Sequence, residues 1–377
     1  MKARRLWAVA RKESLHIIRD WRSLVMGIAI PILLLILFGY ALTLDVDEVP
    51  LVVWDQSGTQ ASRDFISRFA GSPYFALRRF VQTYAEVERA IDGGRALVAL
   101  VIPVDFAQDL GAGGLARAQV IVDGSDSNTA TIVLGYVETV ARTYNQEVAI
   151  EQATRRSGRT VMAPLVLLPR VWFNADMESK NYIIPGLIAV IMMVIAAMLT
   201  SLTVAREWET GTMEQVISTP LKGPELILGK LLPYFGIGML DVLVAVLMGE
   251  FLFEVPLRGN VALLFGMAAV FLAGALSLGM LISIVTKAQL LASQLAMVVT
   301  FLPAFLLSGF MYDISNMPPV IQAITHVVPA RYFVSLLKGI YLKGIGLELL
   351  MMEAVLLALF GLLVLLAATL VFKKKMA

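Results

Sequence analysis

The feature that most constrains this chain is a set of long apolar stretches without a single Asp, Glu, Lys or Arg. A helix that crosses about 30 Å of hydrocarbon needs roughly 20 such residues. Five stretches meet that requirement, and they cover residues 23–44, 181–205, 259–286, 288–312 and 354–372. A sixth, residues 226–251, is interrupted by Lys230, Asp241 and Glu250 but has no turn signal in its middle. The sequence therefore predicts an α-helical polytopic membrane protein with six transmembrane helices.

Between the first two predicted spans lies a segment of a different character. Of the 60 charged residues, 30 fall within residues 45–180. Short runs there predict strands at 51–54, 75–80, 96–102 and 118–122, helices at 62–69, 84–91 and 129–154, and a last extended piece at 166–173. Alternating strands and helices indicate an inserted α/β domain. Its formal charge of −4, from 13 basic and 17 acidic residues, fits either cationic partners or a solvated surface.

Composition excludes several classes of function. With no Cys there is no disulfide, thiolate nucleophile or Cys-ligated zinc, and two His leave little for a metal site or a catalytic triad. A net charge of +2 does not indicate nucleic-acid binding. Asp123, Asp126 and Asn128 are of types that bind calcium, but the full calcium-loop motif is missing, and a turn before an N-capped helix is the preferred interpretation. We predict no metal site and no catalytic residue.

Basic residues set the predicted orientation. Residues 1–22 carry seven Lys or Arg, and residues 373–377 form a second basic tail. Both termini are therefore expected in the cytoplasm, since cytoplasmic flanks of membrane helices are enriched in Lys and Arg. In a bacterium, residues 45–180 then lie in the periplasm and the chain is a multi-pass protein of the inner membrane. Residues 181–372 hold the second to sixth transmembrane helices.

The N-terminal segment, residues 1–22, is amphipathic and basic. The apolar run that follows is 22 residues long, longer than a signal-peptide core, and no A-x-A site precedes Asp45, so we expect a retained anchor. Two interpretations of the segment stay open. It is either an interfacial amphipathic helix with a role of its own or a basic flank that keeps the first span in place.

A short polar segment, residues 206–220, separates the second and third predicted spans. It reads Arg206-Glu-Trp-Glu-Thr-Gly-Thr-Met-Glu214 and ends at Pro220. We interpret the segment as one or two helical turns at the membrane surface. Its three carboxylates and amphipathic Trp can be bound by a soluble partner. The alternative is a solvated loop with a Trp anchored at the interface.

This segment resembles the cytoplasmic coupling segment of type-2 ABC exporter permeases, whose pattern is approximately R-E-x-E-x-G-T-x-E-x-L-x-x-T-P. Glu225, Gly229 and Lys230 fit the family's continuation. Further matches are Phe38-Gly-Tyr-Ala-Leu42, Asp45-Val, Val49-Pro-Leu51, Ile102-Pro-Val-Asp-Phe106, Asp123-Gly-Ser125, Leu307-Ser-Gly-Phe310, Ser315-Asn-Met-Pro318 and Val328-Pro-Ala-Arg-Tyr332. Asp313 departs from the family, where many members have proline.

The resemblance implies that two permease subunits, identical or paralogous, pair with two copies of a separate ATP-binding cassette subunit that drives export. Members with a large first external domain are often linked to multidrug or sodium export, and some work with a periplasmic membrane-fusion adaptor. ATP and Mg are then held by the partner, since this chain has no phosphate-binding G-x-x-x-x-G-K-[ST] loop. The residues expected to contact the ATPase are Arg206, Glu207, Trp208, Glu209, Gly211, Thr212, Met213 and Glu214.

Within the membrane, Asp241 has three open interpretations. It lines a cation or substrate path, meets its copy at a dimer seam, or is hydrogen-bonded to neighbouring helices. The proline-rich residues 313–345 predict short helices that dip into the outer leaflet, where Arg331 and Tyr332 either form a gate or pack and cap. Besides an exporter of amphipathic drug-like, lipidic or cationic molecules, the composition also fits a membrane sensor or scaffold, or a secondary transporter.

Overall fold

The computed structural model describes residues 2–42, 48–112, 114–157, 172–174 and 178–372. They form two compact units. The helical unit combines Met1–Thr43 with Arg170–Ala377, and the sheet unit comprises Leu44–Pro169. The sheet unit is thus one continuous stretch of chain between the two parts of the helical unit.

Two helices of the helical unit begin the chain. α1 (Ala3–Arg19) is amphipathic, and it buries Val9, Ala10, Glu13 and Ile17. α2 (Trp21–Ala41) follows after Asp20 alone. Its 21 residues extend about 31 Å at 1.5 Å per residue. The helix begins and ends two to three residues before the predicted span, 23–44.

Four strands in the order β2-β1-β3-β4 form the sheet unit's core. Its elements are β1 (Val49–Asp55), α3 (Gln60–Ala70), β2 (Phe75–Phe80), α4 (Tyr84–Asp92), β3 (Val98–Ile102), α5 (Phe106–Gly111), β4 (Gln119–Val122) and α6 (Ser127–Ser157). β1 pairs parallel with β2 and β3, and β4 pairs antiparallel with β3. The predicted strands and helices match these bounds within three residues at each end. α5 has no counterpart in the prediction, and the extended piece at 166–173 lies largely outside the described residues.

Both faces of the sheet are covered by helices. All five residues of β3 are buried, as expected for a strand in the middle of a largely parallel sheet. On one face, α3, α5 and α6 contribute Phe65, Phe69, Phe106, Val133 and Val140 to a hydrophobic core. On the other, α4 packs Val87 and Ala90 against Val52 and Ala99.

The rest of the helical unit consists of helices, several of them long. Their bounds are α7 (Ser179–Glu209), α8 (Thr212–Ser218), α9 (Gly223–Phe251), α10 (Val261–Thr286), α11 (Gln289–Leu307), α12 (Pro319–Thr325), α13 (Pro329–Lys338) and α14 (Met351–Val371). Among the described residues, α7, α9, α10, α11 and α14 are long and apolar enough to cross a membrane. α9 is continuous through Lys230, Asp241 and Glu250, the three charges that interrupt the third predicted span.

Two shorter helices form a break in the bundle. α12 and α13 meet at 87°, and together they are either one broken span or a re-entrant pair. A 3-10 turn at Ile314–Asn316 precedes them, and a π-helical turn at Gly339–Lys343 follows. This break lies within residues 313–345, where the sequence predicts short dipping helices. The described helices therefore amount to five or six candidate spans plus the apolar part of α2, Gly27–Ala41.

α7 is the central helix of the bundle. It packs against α2, α9, α10, α11 and α13, and most of its residues are buried. Its contact with α10 is close because Gly279 has no side chain: a Cβ there would collide with the Ala197 carbonyl oxygen and with Thr200 Oγ1. Thr200 Oγ1 also donates a hydrogen bond to the Leu276 carbonyl oxygen at 2.8 Å.

Gly279→Ala is expected to destabilise the helical unit. The added methyl group must push α10 away from α7, and overpacking of this kind costs about 1–3 kcal/mol. We expect a lower midpoint of thermal unfolding for the detergent-purified protein. Gly266→Ala is the matched control, because a Cβ at Gly266 on the same helix meets nothing within 4 Å. Equal midpoints for the two variants would show that the close contact is not a determinant of stability.

Candidate functional site

A buried cluster of charges joins α1 to α9. The Glu13 carboxylate of α1 accepts hydrogen bonds from Lys230 Nζ and from the Tyr234 hydroxyl, each at 3.1 Å. The helices approach closely because Gly229 lies against α1, where an added Cβ would be 2.7 Å from the Val9 Cβ. Glu13 and Lys230 are only 4% and 1% exposed. The pair is therefore removed from water, and breaking it would leave a buried uncompensated charge.

Glu207, at the end of α7, extends this cluster. Its Oε1 accepts a hydrogen bond from Lys12 Nζ at 2.8 Å and lies 3.1 Å from Lys230 Nζ. Two lysines thus balance two glutamates, and the cluster of Lys12, Glu13, Glu207 and Lys230 is formally neutral. Glu207 Oε2 is buried and has no hydrogen-bond partner among the described residues. This oxygen therefore accepts no hydrogen bond from a described residue.

Two further contacts hold α1 in place. Arg206 Nη1 bonds Asp20 Oδ2 at 3.1 Å, just beyond the end of α1. At the other end of α1, the Lys2 backbone N–H donates to Glu225 Oε1 at 2.8 Å. Since Glu225 begins α9 and Arg206 ends α7, α1 is fixed to both helices at the same end of the bundle, which we call the α1 end.

A cavity of about 880 Å³ opens beside this cluster. α2, α7 and α11 supply its walls, which include Ile30, Leu34, Val190, Val194, Phe301 and Phe305. At the α1 end its lining changes to charged and polar residues, including Lys12, Glu13, Asp20, Arg206, Glu207 and Lys230. Its volume falls in the range of sites for small organic molecules. The lining suits a molecule with a large apolar body and a polar end.

The predicted coupling segment is divided between two helices. α7 continues to Glu209, so the first residues of the segment belong to its last turn, not to a loop. Both Glu209 carboxylate oxygens accept hydrogen bonds from Gln289, one from its backbone and one from its side chain. Lys287 Nζ lies 4.6 Å from the centroid of the Trp208 ring. The carboxylates of Glu207 and Glu209 therefore already have partners within the same chain.

α8 makes up the rest of this segment. Gly211 has φ +70°, in the left-handed region that glycine adopts without strain, and it lets the chain turn sharply from α7 into α8. Met213 is fully buried in the hydrophobic core of the bundle, which ties α8 to the other helices. Thr212, Glu214 and Gln215 are exposed. The Glu214 carboxylate has no ion pair or hydrogen bond with a described residue.

Comparison with known proteins identifies the family. The model of the ABC-2 family transporter protein matches residues 21–370. The chain belongs to the ABC-2 transporter family. It is 41% identical over 342 residues to the probable multidrug ABC transporter permease YbhS of Escherichia coli, covering 90% of this chain and 89% of YbhS. It is 30% identical over 345 residues to the probable multidrug ABC transporter permease YbhR of the same species, covering 92% of both chains.

The ABC-2 assignment agrees with the apolar helices, and the chain is a multi-pass inner membrane protein. A third relative, the inner membrane transport permease YhhJ of Escherichia coli, is 27% identical over 348 residues, which are 88% of this chain and 89% of YhhJ. The family is one of permeases, transport subunits without an enzymatic activity of their own. Membership therefore implies an ATP-binding subunit as a partner.

Asp241 lies inside the ABC-2 permease. It is 3% exposed within a single copy, and its carboxylate has no hydrogen bond or ion pair with a described residue. Nor is it among the residues that line the cavity. The three interpretations of Asp241, as part of a transport path, of a dimer seam or of a hydrogen bond between helices, stay predictions.

Arg331 and Tyr332 lie at the break between α12 and α13. Arg331 Nη1 contacts the Thr325 hydroxyl and lies 3.0 Å from His326 Nδ1, while the Tyr332 hydroxyl donates to the His326 carbonyl oxygen at 2.8 Å. These contacts fix the angle between the two helices. They favour the packing and capping interpretation, and neither residue lines the cavity.

The acidic residues before α6 stabilise a turn. Asp123 Oδ1 accepts a hydrogen bond from the Ser125 backbone N–H at 2.9 Å, and the hydrogen bonds from Ser125 lower the pKa of Asp123. Asp126 Oδ2 accepts from the Thr129 hydroxyl. The side chain of Asn128 lies outside the described residues. Across the described ranges, no three His, Asp or Glu side chains gather as metal ligands would.

The sequence prediction missed the residues of α1 and α9 that build the charged cluster. A signal for them exists, because Val9, Glu13 and Ile17 follow one another at four-residue spacing on a single helix face. An acid between two apolar residues on such a face indicates a buried partner. Lys230 and Tyr234, also four apart, present two donors on one face of α9.

Proposed function

We propose that this chain is the membrane-spanning subunit of an ATP-driven exporter in the bacterial inner membrane. The α1 end of the bundle faces the cytoplasm, and both termini lie there. The seven Lys and Arg of residues 1–22 support this orientation, since basic residues accumulate on the cytoplasmic side. With α2 as the first span, the sheet unit, which follows it in the chain, is then periplasmic.

One observation carries the proposal: α7 is a single helix that reaches from the cavity wall to the exposed α8. Val190 and Val194 of α7 line the cavity, and Glu209 ends the same helix three residues before α8 begins. Because Met213 anchors α8 in the core, a force on the exposed side of α8 reaches α7. We infer that the ATP-binding subunit contacts α8 at Thr212, Glu214 and Gln215, with Gly211 forming the turn.

The substrate class follows from the cavity. Apolar walls and a charged end suit amphipathic molecules, which include drug-like, lipidic and cationic compounds. Glu13 and Glu207 line the charged end of the cavity, where such a molecule would place its polar or positively charged group. The names of YbhS and YbhR, probable multidrug permeases, are in line with a broad substrate range.

The complete exporter requires other chains. Two copies of the ATP-binding subunit would hold ATP and Mg, because the printed sequence lacks a phosphate-binding loop of the G-x-x-x-x-G-K-[ST] type. A second permease, identical or paralogous, would complete the membrane part. α11 has exposed apolar residues outside the cavity lining for such a contact, among them Leu295, Val298 and Leu302. A periplasmic adaptor of the membrane-fusion type would bind the sheet unit.

Reconstitution in proteoliposomes tests this function. The permease with its ATPase is expected to move a fluorescent amphipathic cation only when ATP is hydrolysed, and the permease alone is expected to move none. Movement driven by an ion gradient without ATPase would instead assign the chain to the secondary transporters. Ligand binding without any movement under either condition would favour a sensor or scaffold.

A further inference from the structure

α1 presents an unusual face on the side turned away from the bundle. Trp7, Leu15 and Ile18 are 65%, 47% and 67% exposed there. The opposite side of the helix carries its buried residues, Val9, Ala10, Glu13 and Ile17. Three large apolar side chains on one exposed face of an amphipathic helix indicate a contact outside the chain.

The basic residues of α1 fall into two groups. Arg5 and Lys12 are bound inward, to Glu225 and Glu207 respectively. Arg4, Arg11 and Arg19 are exposed, and none of their guanidinium groups has an ion pair or hydrogen bond with a described residue. The inward group therefore holds α1 against the bundle. The guanidinium groups of the outward group can bind an anion outside the chain.

The outward arginines and the exposed apolar residues occupy the same face. Residues 4, 7, 11, 15 and 18 are separated by three or four positions, which places them in one stripe along a helix. Arg19 lies four positions after Leu15 and borders that stripe. Each large apolar side chain of this stripe therefore has an arginine as a neighbour on the helix surface.

The position of α1 favours a lipid over a soluble protein as the occupant of this face. α1 ends at Arg19 and α2, the first apolar helix, begins at Trp21, so α1 lies where the chain enters the membrane. At the membrane surface, Trp, Leu and Ile side chains insert at the boundary between headgroups and acyl chains, while Arg side chains bind phosphate oxygens. Arginines close to a negatively charged leaflet are further attracted by its surface potential.

We propose that the outward face of α1, formed by Arg4, Trp7, Arg11, Leu15, Ile18 and Arg19, is a binding surface for acidic phospholipid headgroups of the leaflet on the α1 side. The face is selective for acidic over zwitterionic lipid, because its arginines have no acidic partner among the described residues. This inference goes beyond the proposed export function, since it holds for the permease alone.

Native mass spectrometry of the full-length protein tests the proposal. The protein is purified from vesicles of equal parts phosphatidylglycerol and phosphatidylcholine, and the ratio of the two lipids that remain bound is measured. Phosphatidylglycerol is expected to be enriched, and the enrichment is expected to decline with salt. Arg4→Gln with Arg11→Gln and Arg19→Gln is expected to reduce the enrichment at least about tenfold, because each arginine near an acidic surface contributes to binding.

Two further variants complete the test. The corresponding three Arg→Lys changes keep the charge and are expected to retain most of the enrichment. Arg78→Gln with Arg79→Gln and Arg117→Gln removes three exposed arginines of the sheet unit and is expected to change nothing. Equal retention of both lipids by the wild type would overturn the proposal. So would a Gln variant of α1 that keeps the enrichment but loses co-purification of the ATPase, which would assign the face to that protein.

Discussion

Lys230→Met is expected to destabilise the permease more than any other single change in the bundle. Lys230 Nζ lies 3.1 Å from both Glu13 Oε2 and Glu207 Oε1, and only Lys12 would remain to balance two buried carboxylates. Removal of one partner from a buried ion pair costs about 3–5 kcal/mol. We expect release of α1 from α9, a marked fall in the thermal unfolding midpoint and loss of transport. The measurement is thermal unfolding of the detergent-purified protein together with protease sensitivity of α1.

A second substitution separates charge balance from loss of packing. Glu13→Gln in the Lys230→Met background restores a neutral cluster, and we expect it to recover a large part of the lost stability. Lys222→Met is the control, because this lysine begins the same helix but its side chain is exposed. If Lys222→Met lowers the midpoint as much as Lys230→Met does, the cluster has no special role.

Glu214→Lys is expected to abolish ATP-driven transport while leaving the fold unchanged. Glu214 is exposed on α8 and has no ion pair with a described residue, so its reversal disturbs no contact within the chain. We propose that Glu214 pairs with a basic residue of the ATP-binding subunit. A like charge in its place costs several kcal/mol, and we expect co-purification of that subunit to fall at least about tenfold. The midpoint of thermal unfolding should stay at the wild-type value.

Glu348→Lys is the matched control for this change. Glu348 is also exposed and without an ion pair among the described residues, but it lies just before α14. α14 ends at the α1 end of the bundle, where Phe372 contacts Gly223, so Glu348 lies at the opposite end. The control should retain both transport and the ATPase. Normal ATPase binding by Glu214→Lys would remove α8 from the coupling interface.

The length of the apolar runs predicted the helices of the bundle well, because a helix that crosses a bilayer requires a long apolar run in the sequence. Helix ends were less predictable. Residues 206–209 are predicted to lie beyond the second span, in a short surface helix or a solvated loop. Instead α7 continues through them, since Glu207 pairs with Lys12 and Lys230 and Glu209 accepts hydrogen bonds from Gln289. These partners lie 23, 80 and 195 positions away in the chain, so no local pattern reveals them.

The candidate site could be predicted only in part for the same reason. The motif of residues 206–220 predicts a coupling segment, but it does not indicate which of its carboxylates face inward. Glu207 pairs with lysines of α1 and α9, and Glu214 faces outward, although both are glutamates in the same polar segment. The cavity between α2, α7 and α11 depends on how three distant helices pack, and the sequence of each helix is simply apolar.

Labelling of a single cysteine in the cavity tests the central claim, that α8 transmits ATP binding to the cavity through α7. The chain has no natural cysteine, so Met198→Cys, on the α7 wall of the cavity, gives one labelling site. In the complex with the ATPase, a non-hydrolysable ATP analogue is predicted to slow maleimide labelling from the α1 side about tenfold, a shift of about 1.4 kcal/mol in accessibility. Adding Glu214→Lys should abolish that effect. Equal labelling rates with and without the analogue in the wild-type complex would contradict the account.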